Sequence, residues 1–233
     1  IAERKGVPKT VELPTGKMPY RDGQSVDVRL KDTAATHRLL VRDCDHLEPD
    51  SFTVEAFFQL RSVAEDGAVR TLVSKWTGNA YDIGWAFGVT GKGSRRKPQT
   101  LVFQAFGVHG ESERATELIA FSDQTIELNR PYFVAVAVDR TPAGGKITFH
   151  LKDLSDDDSP LATVEAEVSL PKDFSNDTPL GIGAAYTRAD SRFDGLIDEV
   201  RLSSQSLDPS ELLLAKEATT NATGGDWLVY PDP

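Results

Sequence analysis

A single cysteine, Cys44, stands among 233 residues, which leaves no internal disulfide framework, no cysteine-based zinc site and no CxxC redox pair. Asp43 and Asp45 flank it, an acidic setting that does not favour the thiolate. Long apolar runs are missing too. Charges interrupt every hydrophobic stretch before ~18 residues, so no segment reads as a membrane span. Nor is there a basic stripe: 26 Lys and Arg stand against 36 Asp and Glu, a net charge of −10. Without clustered cations nothing displaces the counterions of a phosphate backbone, so nucleic acid is not an expected partner. Internal repeats of ~20–50 residues and low-complexity tracts are absent. The chain opens at Ile1 with neither an initiator Met nor a signal peptide, which reads as a processed or excised piece of something longer.

What is present is enough for one core: 39% of the residues are hydrophobic, in short alternating segments between clusters of Gly, Pro, Asn and Asp. Phe52 to Leu60 alternates most cleanly, with Phe52, Val54, Ala56, Phe58 and Leu60 on one face and Thr53, Glu55, Phe57 and Gln59 on the other. Similar strands are expected over 71–76, 85–89, 101–106, 147–151 and 196–202, preceded by weaker ones over 26–30 and 37–41. Tyr132 to Val138 is apolar on both faces and should be covered on both sides, hence central in its sheet. Gly91 to Gln99 and Asp153 to Pro160 read as polar hairpin tips. One helix signal occurs late: Asp208, Pro209 and Glu211 supply an N-cap, a first-turn proline and a capping-box glutamate for a short helix to about Lys216. The expected architecture is an all-β, two-sheet antiparallel sandwich with that one helix. An extended arm or linker is expected over 1–24, the domain over 25–217, and a tail over 218–233 in which Trp227 to Tyr230 forms a last edge strand.

The segments Phe52 to Phe58, Leu72 to Trp76, Gly84 to Gly88 and Tyr132 to Asp139 occur in a familiar order. They are followed by Pro179-Leu180-Gly181-Ile182-Gly183, then Phe193-Asp194-Gly195-Leu196-Ile197-Asp198-Glu199-Val200-Arg201-Leu202, then Leu207 and the capping box. Over about 25–214 this resembles laminin-G-like, concanavalin A-like jelly-roll domains. Phe57 stands where such domains usually carry a Trp, and the two polar hairpins look like insertions. The resemblance implies two curved antiparallel sheets, frequently appended to larger extracellular or periplasmic proteins, and binding of glycans or proteins without catalysis. It also places Glu55 and Arg201 on the solvent side of neighbouring strands as a cross-strand ion pair.

Glucan hydrolases of the same superfamily need two glutamates and an aspartate on one strand face, in a Glu-x-Asp-x-Glu or Glu-x-Asp-x-x-Glu run, and this chain has none. Asp198 and Glu199 are adjacent and so point to opposite faces. Alternation puts Asp198 with Leu196, Val200 and Leu202 on a face that looks like core. It is either a ligand of the structural calcium that related jelly rolls often hold, or an aspartate bonded to loop amides or turned outward by a β-bulge. Asp153 and Asp156 to Asp158 lack the glycine and terminal glutamate of an EF-hand and read as a solvated turn. His150 alternates with Thr148 and Lys152 and reads as an exposed strand residue. The mixture that suits a sugar lies in two loops: Trp76, Asn79, Tyr81, Asp82 and Trp85 in one, Tyr186, Arg188 and Asp190 in the other. Rings offer stacking faces, while amide and carboxylate groups pair with hydroxyls. The competing reading packs Trp76 and Trp85 in the core and leaves the rest to turn chemistry. The expected function is a non-catalytic carbohydrate-binding module, part of a larger exported protein. A protein-interaction or assembly domain is the alternative, and a glycoside hydrolase comes third.

Overall fold

In Phe52–Leu60 the even-numbered side chains point into the space between two sheets, as their alternation requires. The computed structural model describes residues 14–30, 38–108, 115–141, 145–188, 190–216 and 227–228. In chain order the first strands are β1 (Thr15–Gly16), β2 (Ser25–Val28), β3 (Leu39–Val41), β4 (Phe52–Leu60), β5 (Arg70–Lys75), β6 (Gly84–Val89) and β7 (Thr100–Val108). There follow β8 (Ala115–Thr125), β9 (Pro131–Asp139), β10 (Lys146–Asp153), β11 (Ala162–Glu167), β12 (Leu180–Ile182), β13 (Gly195–Ser203) and β14 (Trp227–Leu228). One sheet runs β1-β2-β13-β4-β9-β10-β11, with β14 also on β13; the other runs β3-β12-β5-β6-β7-β8. Neighbouring strands in both sheets run antiparallel, and the two sheets form a jelly-roll sandwich.

β9 lies between β4 and β10, the central position that its two apolar faces demand. Gly91 to Gln99 joins β6 to β7 and Asp153 to Pro160 joins β10 to β11, both as hairpins. Glu211 accepts a hydrogen bond from the Asp208 N–H at 3.1 Å, and the 3-10 turn Pro209–Glu211 leads into α1 (Leu213–Lys216). Of the stretch read as an arm, residues 14–24 add β1 and the buried Met18, whereas 1–13 lie outside the described residues, as does His37 of the weak strand. β14 covers the first half of the expected Trp227 to Tyr230 strand, and the rest is outside the described residues. Cys44 is exposed at the start of the 3-10 turn Asp45–Leu47.

The outer face of the larger sheet departs from expectation. Met18, Leu207 and Leu212 pack there on Phe57, Phe133, Ala135 and Leu196, so this face is covered rather than wet. Glu55 and Arg201 do pair across strands, with Arg201 Nε donating to Glu55 at 2.5 Å, but both are buried instead of solvent-facing. The reason is the C-terminal segment: the Leu213 N–H donates to Glu55 Oε1 at 2.7 Å and Arg201 Nη2 donates to the Glu211 carbonyl at 2.9 Å. His150 is also buried rather than exposed, 1% accessible, with Nδ1 3.1 Å from Thr163 Oγ1.

Candidate functional site

The outer face of the smaller sheet carries the candidate site. Trp76 follows β5 immediately, and its ring stacks on Phe106 of β7, centroids 4.2 Å apart and planes within 9°. Alternation along β6 sends Trp85, Phe87 and Val89 inward and leaves the small Ala86 beneath the Trp76–Phe106 pair. A pocket of about 150 Å³ opens over this pair. Residues Gly67 to Val69 form one wall, and Gln104, Glu117, Arg188 and Ser191 bring polar groups to it. Ala80 also lines it, and the adjoining Tyr81 is 88% exposed.

The two loops singled out in the sequence are brought together. The N–H groups of Tyr186 and Thr187 donate to the carbonyls of Trp76 and Thr77 at 3.0 and 2.8 Å. Arg188 grips Asp190 with Nε and Nη2 at 2.9 and 2.6 Å and donates through Nη1 to the Gly78 carbonyl at 3.3 Å. This bonding holds the Asp190 carboxyl below the usual carboxylate range. Gly78, at φ +99°, is required here, because a Cβ would run into the Arg188 stem.

Not every expected site residue faces the pocket. Trp85 is a correction: it lies between the sheets, 5.0 Å from Phe52 and 6.1 Å from Phe103 by ring centroid, and cannot meet a ligand. Asn79 and Asp82 are engaged in their own turn. The Asn79 carbonyl accepts from Trp76 Nε1 at 2.9 Å, and Asp82 Oδ2 accepts from Thr77 Oγ1 at 2.6 Å. Tyr186 is 36% exposed, with the Arg38 guanidinium 5.7 Å from its ring centre. Phe106, Gln104 and Glu117 were missed by sequence reading. Period-two alternation along β7 does place Gln104 and Phe106 together on its outer face, but nothing local says that this face is open.

Asp198 does not face the inner core. The register slips between Asp198 and Arg201, with Glu199 at φ +43°, so Leu196 and Asp198 lie on the outer face while Ile197, Val200 and Leu202 point inward. Its carboxylate is 3.7 Å from Arg21 Nε and accepts from the Glu199 N–H at 3.0 Å. A guanidinium in that position opposes a dication, and among the described residues no three His, Cys, Asp or Glu converge to hold a metal. The surroundings of Asp198 do not fit calcium. In the acidic hairpin the chain supplies its own cation: Lys152 Nζ donates to the carbonyls of Asp156 and Asp157 at 2.8 and 3.1 Å, and to that of Ser159.

Two antiparallel sheets with a core between them and a loop-rimmed outer face define the class of jelly-roll sandwiches. The chain belongs to the concanavalin A-like lectin/glucanases superfamily, whose laminin-G-type model matches residues 32–213. No curated protein matches it by sequence. Among solved structures it resembles the enzymatically active domain of tailspike protein 2 from bacteriophage CBA120, with a TM-score of 0.56 and 10% identity. That match covers 89% of this chain but 29% of the tailspike chain. The CBM40 of a Ruminococcus gnavus sialidase, bound to α2,3-sialyllactose, is 14% identical with a TM-score of 0.47, over 72% of this chain and 82% of its own. A heptameric pentraxin from Limulus polyphemus is 13% identical with a TM-score of 0.45, over 79% and 75%. No helix among the described residues is long and apolar enough to cross a membrane.

Proposed function

We propose that this chain is a non-catalytic carbohydrate-binding module of a longer exported protein, and that its site is the pocket over Trp76 and Phe106. The observation that carries this reading is the exposed Tyr81 ring beside a pocket that has the buried Trp76–Phe106 pair beneath it and the polar Gln104, Glu117 and Arg188 groups on its walls. A pyranose lays its C–H face on a ring and pairs its hydroxyls with planar amide, carboxylate and guanidinium groups. Glu117 is the one carboxylate among the described residues lining the pocket, whereas glycoside hydrolysis takes a pair flanking one bond.

A glycan array followed by titration tests the reading. Binding of an oligosaccharide is expected, weakened several-fold by Tyr81→Ala, since an aromatic contact is worth about 0.5–1.5 kcal/mol. Gln104→Ala should weaken it as well, with the fold of both variants checked by circular dichroism. An array that stays silent, while the chain captures a protein partner, would overturn it in favour of an assembly role.

A further inference from the structure

The first pocket has room for about one sugar ring, well under the roughly 300–1,000 Å³ of sites for drug-sized ligands. Beside it lies a second, more open cavity of about 410 Å³, lined by Ala64, Glu65, Asp66, Ala68, Arg70 and Asp190. The two share Ala68, and the Arg188–Asp190 pair straddles them, Arg188 lining the first and Asp190 the second. Arg70 is nine-tenths buried: Nη1 donates to the carbonyls of Asp190 and Arg192 at 3.0 and 3.3 Å, while Nε has no hydrogen-bond partner among the described residues. Asp66 Oδ1 accepts from the Ala68 N–H at 3.0 Å, which leaves further acceptor capacity on the carboxylate.

From this we infer that the second cavity is a subsite for the next unit of an uncharged sugar chain, an inference that rests on the carbohydrate-binding reading above. Sugar hydroxyls both donate and accept, so they match a wall offering the Asp66 carboxylate beside the Arg70 guanidinium. Anionic sugars do not match it. Glu65, Asp66, Asp190 and Glu117 outnumber Arg70 and Arg188 across the two cavities, and the chain as a whole carries −10, so a uronate meets repulsion.

The test is calorimetric titration with glucose, mannose, galactose and N-acetylglucosamine, their oligomers of two to four units, and galacturonate oligomers of the same lengths. A neutral series should gain about tenfold or more in affinity from one unit to two or three, because the second contact becomes intramolecular. Galacturonates should not bind. Asp66→Asn, which keeps an oxygen to accept from the Ala68 N–H, should erase most of the gain, while Glu65→Gln added to it should admit the galacturonates. Affinity that is independent of length, or equal for galacturonates and neutral sugars, overturns the second subsite but leaves the carbohydrate reading standing. Silence with every sugar overturns both.

Discussion

Lys75 ends a strand with its side chain 1% exposed and its ammonium enclosed by the chain. Asp43 Oδ1 at 2.6 Å, the Thr178 carbonyl at 3.1 Å and the Asn176 carbonyl accept from Nζ, and Glu48 Oε1 forms an ion pair with it at 2.9 Å. Removing the cation leaves two carboxylates facing each other. Lys75→Met should therefore cost about 3 kcal/mol, the low end for a broken buried pair because Asp43 and Glu48 keep some contact with water. For a domain of this size that lowers the thermal midpoint by about 6–12 °C. His150 gives a prediction in pH. Burial pushes its imidazole below its usual value of 6.5, with Glu165 opposing more weakly. The unfolded chain then takes up the proton first, so stability is full above pH 6.5 and falls as the pH drops from there toward the folded value. His150→Gln should flatten urea midpoints measured between about pH 5 and 7, whereas carboxylates protonate mostly lower. An unchanged slope would contradict this account.

At the scale of elements, β13 and the segment after it act together. β2 pairs with Gly195 to Ile197 and β14 with Arg201 and Leu202, so the bulge at Glu199 falls where the neighbour changes. Beyond β13 the chain turns back over the sheet. Thr53 Oγ1 donates to the Gln205 carbonyl at 2.8 Å and accepts from the Leu207 N–H at 2.9 Å, and Glu55 holds Leu213. Arg201→Met should cost about 3–5 kcal/mol by stranding Glu55, and the Glu55→Met/Arg201→Met double variant should recover part of that loss. Amide exchange over 205–213 should quicken in the single variant. Equal losses in the two variants would mean that the pair does not act as a unit. The pairing of Glu55 with Arg201 was legible only through the family resemblance, which makes their strands neighbours, and the observed register does set the two opposite each other. Its burial was not: the cover comes from residues far along the chain, and period-two patterning reports a face without reporting what lies on it.

For the molecule as a whole, the sandwich was legible because the inward residues of Phe52–Leu60 and the doubly apolar Tyr132 to Val138 stretch leave little choice of packing. β8 and β11 escaped notice: Ala115–Thr125 carries polar residues on both faces and Ala162–Glu167 is a largely exposed edge. The candidate site was half legible. A cluster of aromatic and polar residues marks the loops, but whether a Trp faces solvent or core depends on which side of its strand it occupies, and Trp76 and Trp85 fall on opposite sides. Sharing of one pocket by the 67–69 wall and β7 is a matter of tertiary assembly that no local pattern carries. Cys44 adds a consequence for copies of the molecule. A lone thiol, exposed beside a 3-10 turn, has no second thiol among the 233 residues. Oxidation can therefore join the chain to one other copy and no further, as a covalent pair that runs at twice the mass on a non-reducing gel and collapses to a single band with thiol reductant or with Cys44→Ser.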